Sequence, residues 1–582
     1  MCGIAGVWKE GDIQKMIDIL SHRGPDGEGF YLGKRVKLGA RCLRITDYSS
    51  ENQPIFNEDK NICVVLNGKI YNYSDLRTRL KRHTFNTNTD TEVIVHAYEE
   101  FGLDCVNKFN GSFAFAIWDG KYLVLGRDRL GQKPLYYFQR NGRLIFASEI
   151  KSILSEIEAR PNLTEDFIAF ESTSGQETLF KDVYSVPSGS LLIFDGKRVS
   201  IKKYWQIDPN YVTELNEKQC IEKLRWLIQD AIKLRSGKNM PIGLFLSGGI
   251  DSSLIAYIAK PKHVFTCHYN LGEHFDELYY AELVAKDIGA EHHIIQPKPS
   301  DFQKWYGKII WHLDQPIATA STLSAFLLAK KASQFVKIVL NGEGADELFG
   351  GYIRYLLMLM EEYLGNLREL KSYHSLARFF WSEEVFSELA ERYFFLTKRG
   401  IPDTNNPFKK IKTIFSQHRY LLNQMCACDI EITLPSLLTM GDRVCAAHGM
   451  ENRSPYLDYR IVEFAFSLPS ELKIKENKTK FILKKVAKGI VPDEIIERKD
   501  KKGLITPIYQ WFSNELSEWS NDLIRSFKKR KIVIKRGNFR GEYDRYLYML
   551  LSLELWYRIF IDPKDFLYES EKKTDKIHSK VM

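Results

Sequence analysis

At 582 residues, with a formal net charge of +9, 44% apolar and 27% charged residues, the chain is too long for one core and too ordinary in composition for large-scale disorder. The charge excess is thinly spread, and its densest basic run, Lys528 to Arg536, has no aromatic platform interleaved with it, so nucleic acid is not expected as a partner. No run of about 20 apolar residues occurs, so a membrane span is not expected either, and nine scattered cysteines with no secretory segment before them point to a reducing cytoplasm.

The chain begins Met1-Cys2-Gly3-Ile4-Ala5-Gly6-Val7. Removal of the initiator methionine would set the Cys2 thiol beside a free α-amine, a base titrating near 8, whereas a lone cysteine is ordinarily a small buried hydrophobe. A polar turn, His22-Arg23-Gly24-Pro25-Asp26, follows. The apolar run Ile62 to Leu66 predicts a strand with Asn67 and Gly68 at its end, where a side-chain amide and a backbone N–H can converge on one oxygen. Thr89-Asp90-Thr91-Glu92 opens a helix with capping residues. Short β-type runs such as Leu191 to Phe194, punctuated by Pro187, Gly189 and Gly196, extend to Tyr204, and the polar stretch Gln206 to Glu217 reads as a linker.

From Asn216 the pattern is α/β. A helix with apolar residues at Ile221, Leu224, Leu227, Ile228 and Ala231 leads into Pro241 to Ser253, a strand, a loop of small residues and a helix start. Backbone N–H groups, the hydroxyls of Ser247, Ser252 and Ser253, and the close approach permitted by Gly248 and Gly249 make this a phosphate cradle. It lacks the lysine of a triphosphate loop and carries Asp251 instead, so a metal-bound pyrophosphate is the expected occupant. A helix (251–259), a strand (264–267), a helix (275–288) and a strand (292–295) then imply a parallel sheet with ligands at the strand C-termini. Phe245 and Cys267 sit at such ends, as adenine wall or as core. After the strand Lys337 to Leu340 comes a second glycine-rich turn, Asn341 to Tyr352, with Glu343, Asp346 and Glu347 within five residues. Tyr355 to Leu434 reads as helices around a Pro402 to Pro407 loop, and the C-x-C pair Cys426 and Cys428 lacks the partners of a zinc site.

MCGIAGVW, HRGPD, NGKIYN, TDTE and GRDRLGQKPLYY resemble the N-terminal-nucleophile glutaminase domain of glutamine-dependent asparagine synthetases, and SGGIDSS resembles the pyrophosphate loop of the ATP pyrophosphatase superfamily. NGEGADE, Gly441-Asp442-Arg443, Met450 to Asp458, Lys478 to Leu483 and Arg498 to Ile508 are similar to elements of the same synthetases. The resemblance implies an αββα glutaminase sandwich (1–205), a linker (206–217), an α/β synthetase domain with a parallel sheet (218–562) and a frayed tail (563–582). It implies Cys2 as nucleophile, Asn67 and Gly68 as oxyanion hole, and Asp90 on the glutamine α-amine. ATP would lie on Phe245, Ser247, Gly248, Gly249, Asp251, Ser252, Ser253, Cys267, Asn341 and Gly342, with Mg²⁺ on Asp251 and Asp346. Lys480 would neutralise phosphate, and Glu343 would act as base on ammonia. The substrates implied are glutamine or ammonia, aspartate and ATP; oligomeric state stays open, a homodimer among the options.

Two departures fall on the glutamine clamp. Cys42 stands where the family's carboxylate-gripping arginine does, and Lys69 where a glutamate helps hold the α-amine. Each change removes a charged hydrogen bond worth about 1.5–3 kcal/mol. Arg41, Arg44 and Lys69 are the candidates for a repaired clamp. Beside asparagine synthesis stand amidation of another carboxylate, an ammonia-dependent ligase with a silent or ligand-sensing first domain, and, more remotely, a tRNA-modifying pyrophosphatase.

Overall fold

The computed structural model describes residues 2–45, 52–237, 240–270, 278–316, 320–359, 388–498, 506–535 and 545–563. The expected tail and most of the Arg498 to Ile508 turn lie outside them, as do 275–277 of the expected helix 275–288, which runs Leu278–Asp287 where described.

Period-2 alternation builds the first half. Two six-stranded antiparallel sheets face each other: one runs in the order 183–185, 136–140, 143–147, 3–8, 36–42, 27–32, the other 199–203, 190–194, 123–127, 111–118, 63–70, 55–56. Ile4, Leu38 and Ala40 of one sheet and Val65, Ala116 and Leu125 of the other form the core between them. Their alternate neighbours point outward. Val64, Leu66 and Ile70 pack under the helix Asp90–Phe101, and Ala5 and Val7 pack under Ile13–Ile19. The result is an αββα sandwich.

Asn67 and Gly68 are not at a strand end. The strand continues to Ile70 because residues 67–70 go on pairing with Ala114 down to Gly111. Gly68 has φ +131°, and a Cβ there would lie 2.1 Å from the Ser112 carbonyl oxygen, so only glycine fits.

Residues 206–216 form no helix or strand; Thr213 N–H donates to the Ser467 carbonyl, and Asn216 caps the helix Glu217–Ser236 with a capping box. The strands that follow are short, and the two central ones, Ile242–Phe245 and Ile338–Leu340, are apolar throughout, as strands covered on both faces are. They form a five-stranded parallel sheet in the order 291–295, 263–267, 242–245, 338–340, 451–453. The order reverses between 242–245 and 338–340, and a ligand crevice is expected outside the carboxyl ends of those two strands. No helix among the described residues is long and apolar enough to cross a membrane.

The outer face of the first sheet shares one apolar cluster with the second half. A buried ionic network crosses the same boundary: Arg23 pairs with Glu149 (2.8 Å) and Asp442 (2.9 Å), and Arg443 with Glu149 (2.7 Å) and Asp314 (2.9 Å). Lys151 adds a 2.8 Å pair to Asp314. Arg443, His22 and Lys151 hold Glu149 well below the usual carboxylate range despite its burial.

Candidate active sites

At the switch point the two glycine-rich turns meet. Lys480 projects its ammonium between both loops, 2.6 and 2.8 Å from the two Asp251 oxygens and 2.5 Å from Asp346 Oδ1. Backbone geometry makes the approach possible. Lys480 caps its helix at φ +54°, and a Cβ on Gly351 would collide with both the Asp346 carboxylate and Lys480 Cε. Across the turn, Ser247 N–H donates to Ser252 Oγ at 3.2 Å, while Ser253 Oγ is buried without a hydrogen-bond partner. Gly248 has φ +69° and packs against the backbone N of Ala281. Gly342 lies against Asp251, where an added Cβ would be 3.1 Å from the Asp251 Cβ.

The second turn also holds Glu343. Ser454 Oγ donates to Asn341 Oδ1 at 2.7 Å and stands 3.2 Å from Glu343 Oε2. Burial pushes the Glu343 carboxyl up to about 7, where it exchanges a proton near neutrality. Gly441 leaves room beside it; a Cβ there would meet Glu343 Oε1 at 2.8 Å and Asn452 Nδ2 at 2.9 Å. Phe245 and Cys267 both end strands of this sheet, half-buried, with the Cys267 thiol raised to about 11 by burial. Arg453 is an internal strut, bonded to Glu451 (2.7 Å) and the Arg235 carbonyl (2.6 Å).

The second site is in the sandwich. Gly3 pairs with Arg41, so the antiparallel register sets Cys2 opposite Cys42. The neighbouring Cys42 thiol, against the opposing effect of burial, favours the Cys2 thiolate and brings the Cys2 thiol down to about 7, while the Cys42 thiol is raised. Gln53, whose Nε2 lies 3.8 Å from Cys2 Sγ, is pinned to both backbone groups of Leu66. Asn67 is fully buried with neither side-chain atom hydrogen-bonded. A buried amide without a partner is costly, and an incoming oxyanion would accept from its Nδ2.

The candidate clamp residues divide. Lys69 Nζ meets Asp90 Oδ1 at 2.8 Å, and Ile70 N–H takes Oδ2 at 2.8 Å. Burial works against the Lys69 charge, but Asp90 outweighs it and the ammonium is stabilised. Arg41 must be set aside as a carboxylate grip: next to inward-facing Cys42 it points to the opposite face, pairing with Asp18 (2.6 Å) and Glu28 (2.7 Å). Arg44 reaches Asn52 Oδ1 at 3.0 Å while its carbonyl accepts from Lys337. Sequence reasoning missed Gln53 and the thiol contact of Cys42; the register of two adjacent strands was the signal for the second.

The two sites share one electrostatic neighbourhood. Glu451 acts on Cys2, and the buried Lys133 acts on both Glu451 and Glu343.

Residues 1–205 match the family model "Glutamine amidotransferase domain", and residues 223–558 match "Asparagine synthase". The chain is 30% identical to "Asparagine synthetase [glutamine-hydrolyzing] 1" of Bacillus subtilis, covering 97% of this chain and 98% of that protein. It is 29% identical to "Asparagine synthetase [glutamine-hydrolyzing] 3" of the same organism over 89% of each, and 26% identical to "Amidase chry2" of Gibberella zeae over 88% of this chain and 87% of that one.

Proposed function

The chain belongs to the asparagine synthase family, and from that premise we propose that it makes asparagine from aspartate, ATP and glutamine, releasing AMP, pyrophosphate and glutamate. The observation that carries this reading is the convergence of Lys480, Asp251 and Asp346 at the switch point, with Glu343 on the same turn.

In the first half, the Cys2 thiolate attacks the glutamine side-chain carbonyl. The oxygen that becomes negative is received by Asn67 Nδ2 and the Gly68 N–H. The proton that the Cys2 α-amine takes from the thiol passes to the amide nitrogen, which leaves as ammonia, and water then cleaves the thioester to glutamate. Cys42 holds the thiolate form available near neutrality.

In the second half, ATP lies along Ser247 to Ser253 and the Asn341–Gly342 turn, its base near Phe245 and Cys267. A side-chain carboxylate oxygen of aspartate attacks the α-phosphorus, and pyrophosphate departs towards Lys480. Asp251 and Asp346 fit a divalent cation, since one ammonium already touches both carboxylates, and Mg²⁺ bound there would neutralise charge on the phosphates. Glu343 removes the fourth proton of ammonium, ammonia attacks the acyl carbon, and AMP leaves as amide forms. A carboxylate alone is too poor an electrophile for that attack, which is why ATP is spent.

A second reading is favoured by one observation: Lys69 already occupies Asp90, and a neutral thiol stands in the carboxylate grip. On that reading the enzyme works on ammonium, with glutamine a poor donor. Asparagine and pyrophosphate are measured with ATP, Mg²⁺ and aspartate, and nitrogen supplied as glutamine or as ammonium. Product from both supports the full reaction; product from ammonium alone supports the second reading; no aspartate-dependent pyrophosphate from either rejects aspartate as acceptor.

A further inference from the structure

Away from both sites, four side chains of the first half converge beside the helix Asp90–Phe101. Glu58 follows the strand Ile55–Phe56, His83 follows the helix Tyr73–Arg79, and His96 and Glu99 stand one turn apart on the long helix. His83 Nδ1 lies 3.5 Å from Glu58 Oε1 and 3.5 Å from Glu99 Oε2; His96 Nδ1 lies 3.5 Å from Glu58 Oε2 and 2.9 Å from Glu99 Oε2. Donors bound to one tetrahedral zinc ion at about 2.0–2.2 Å stand about 3.3 Å apart. The four separations bracket that value, and one ligand atom from each residue lies within 4.8 Å of all the others.

The donors are also held from behind. Asn57 Nδ2 donates to Glu99 Oε1 at 2.7 Å, leaving Oε2 turned to the histidines, and Thr84 N–H fixes Glu58 Oε1 at 2.7 Å. His96 is fully buried, its Nε2 without a hydrogen bond and 3.8 Å from Glu92. The two imidazoles stack at 4.7 Å between centroids, 29° apart in plane. Two imidazoles and two carboxylates around a dication form an electrically neutral set. This mix of nitrogen and oxygen donors without thiolate suits zinc better than magnesium or copper(I).

We propose that Glu58, His83, His96 and Glu99 form a structural zinc site. It ties the turn after residue 56, the segment around residue 83 and the helix into one unit. Asp90, which meets Lys69, begins that helix, and Glu92 on its first turn holds the N–H groups of Asn86 and Thr87. The metal therefore fastens the outer wall of the sandwich next to the Lys69–Asp90 pair.

The test uses the full chain, stripped with a chelator, returned to metal-free buffer and titrated with Co²⁺ and then Zn²⁺. The expected result is one equivalent of Co²⁺ with the visible bands of a tetrahedral nitrogen and oxygen site and no thiolate-to-cobalt band, displaced by Zn²⁺, with a rise in Tm. His83→Asn and Glu58→Gln, both at the partly exposed side of the cluster, are expected to fold as judged by circular dichroism and to bind at least ~100-fold more weakly. Equal binding by the parent and both variants, a thiolate band, or no bound metal would overturn the proposal.

Discussion

Lys480, buried, and Lys69, half-buried, are both bonded to aspartate, but their stoichiometry differs. Lys480 serves two carboxylates, Asp251 and Asp346, and bridges the two glycine-rich turns that carry them. Lys69 serves one carboxylate whose other oxygen is taken by Ile70, so the pair is balanced before any substrate arrives. A substrate ammonium must displace Lys69 or share Asp90 with it, and the neutral Cys42 offers the substrate carboxylate no compensating charge. The same ion pair bridges two loops in one half of the molecule and fastens the start of one helix in the other.

Breaking each half in turn sharpens this contrast. The largest effect is expected from Cys2→Ala, with glutamine-supported product falling roughly 10⁴-fold or more while ammonium-supported product persists. Unchanged glutamine-supported synthesis would remove Cys2 from the mechanism. Lys480→Ala is expected to lower product from either nitrogen source by about 10²–10³-fold while glutamate release continues. It removes the ammonium that bridges the two carboxylates, so a loss of stability in urea melts accompanies it.

Glu343→Gln addresses proton removal and is expected to cost about 10²-fold with ammonium. Because burial raises this carboxyl to about 7, its base form, and with it the rate at constant ammonium, should grow as pH rises through that value. A variant with the same pH slope as the parent would exclude Glu343 as the base. The smallest effects belong to the clamp. Cys42→Arg is expected to lower the KM for glutamine about tenfold, one charged hydrogen bond regained. In Cys42→Ala, iodoacetamide labelling of Cys2 should move its midpoint upward from about 7, because the thiolate loses its neighbouring thiol. An unmoved midpoint would mean that the thiol contact does not tune Cys2.

What the sequence disclosed follows from how local each feature is. The cradle is a contiguous strand, loop and helix, so Ser247 to Ser253 and the parallel sheet were legible from apolar runs and glycines. Asn67 and Gly68 were identified but set at a strand end, because β-pairing with 111–114 prolongs a strand beyond its apolar run. Arg41 failed as a clamp residue for a reason of parity: one step along a strand reverses the face. The Cys2 and Cys42 contact, and the cluster of Glu58, His83, His96 and Glu99, join segments far apart in the chain, and only the spacing of His96 and Glu99 on one helix is a local signal.

The ionic network across the two halves has a consequence for how the chain is made. Within it the earlier half contributes Arg23, Lys133, Lys151 and Glu149, a surplus of two positive charges, and the later half contributes Asp314, Asp442 and Arg443, a surplus of one negative. Almost three hundred residues separate Glu149 from Arg443, so at 5–20 residues per second the ribosome needs roughly 15–60 s to supply the partner. Throughout that interval the nascent first half carries unanswered charge and an uncovered apolar sheet face, a surface that chaperones are built to shield until the second half arrives.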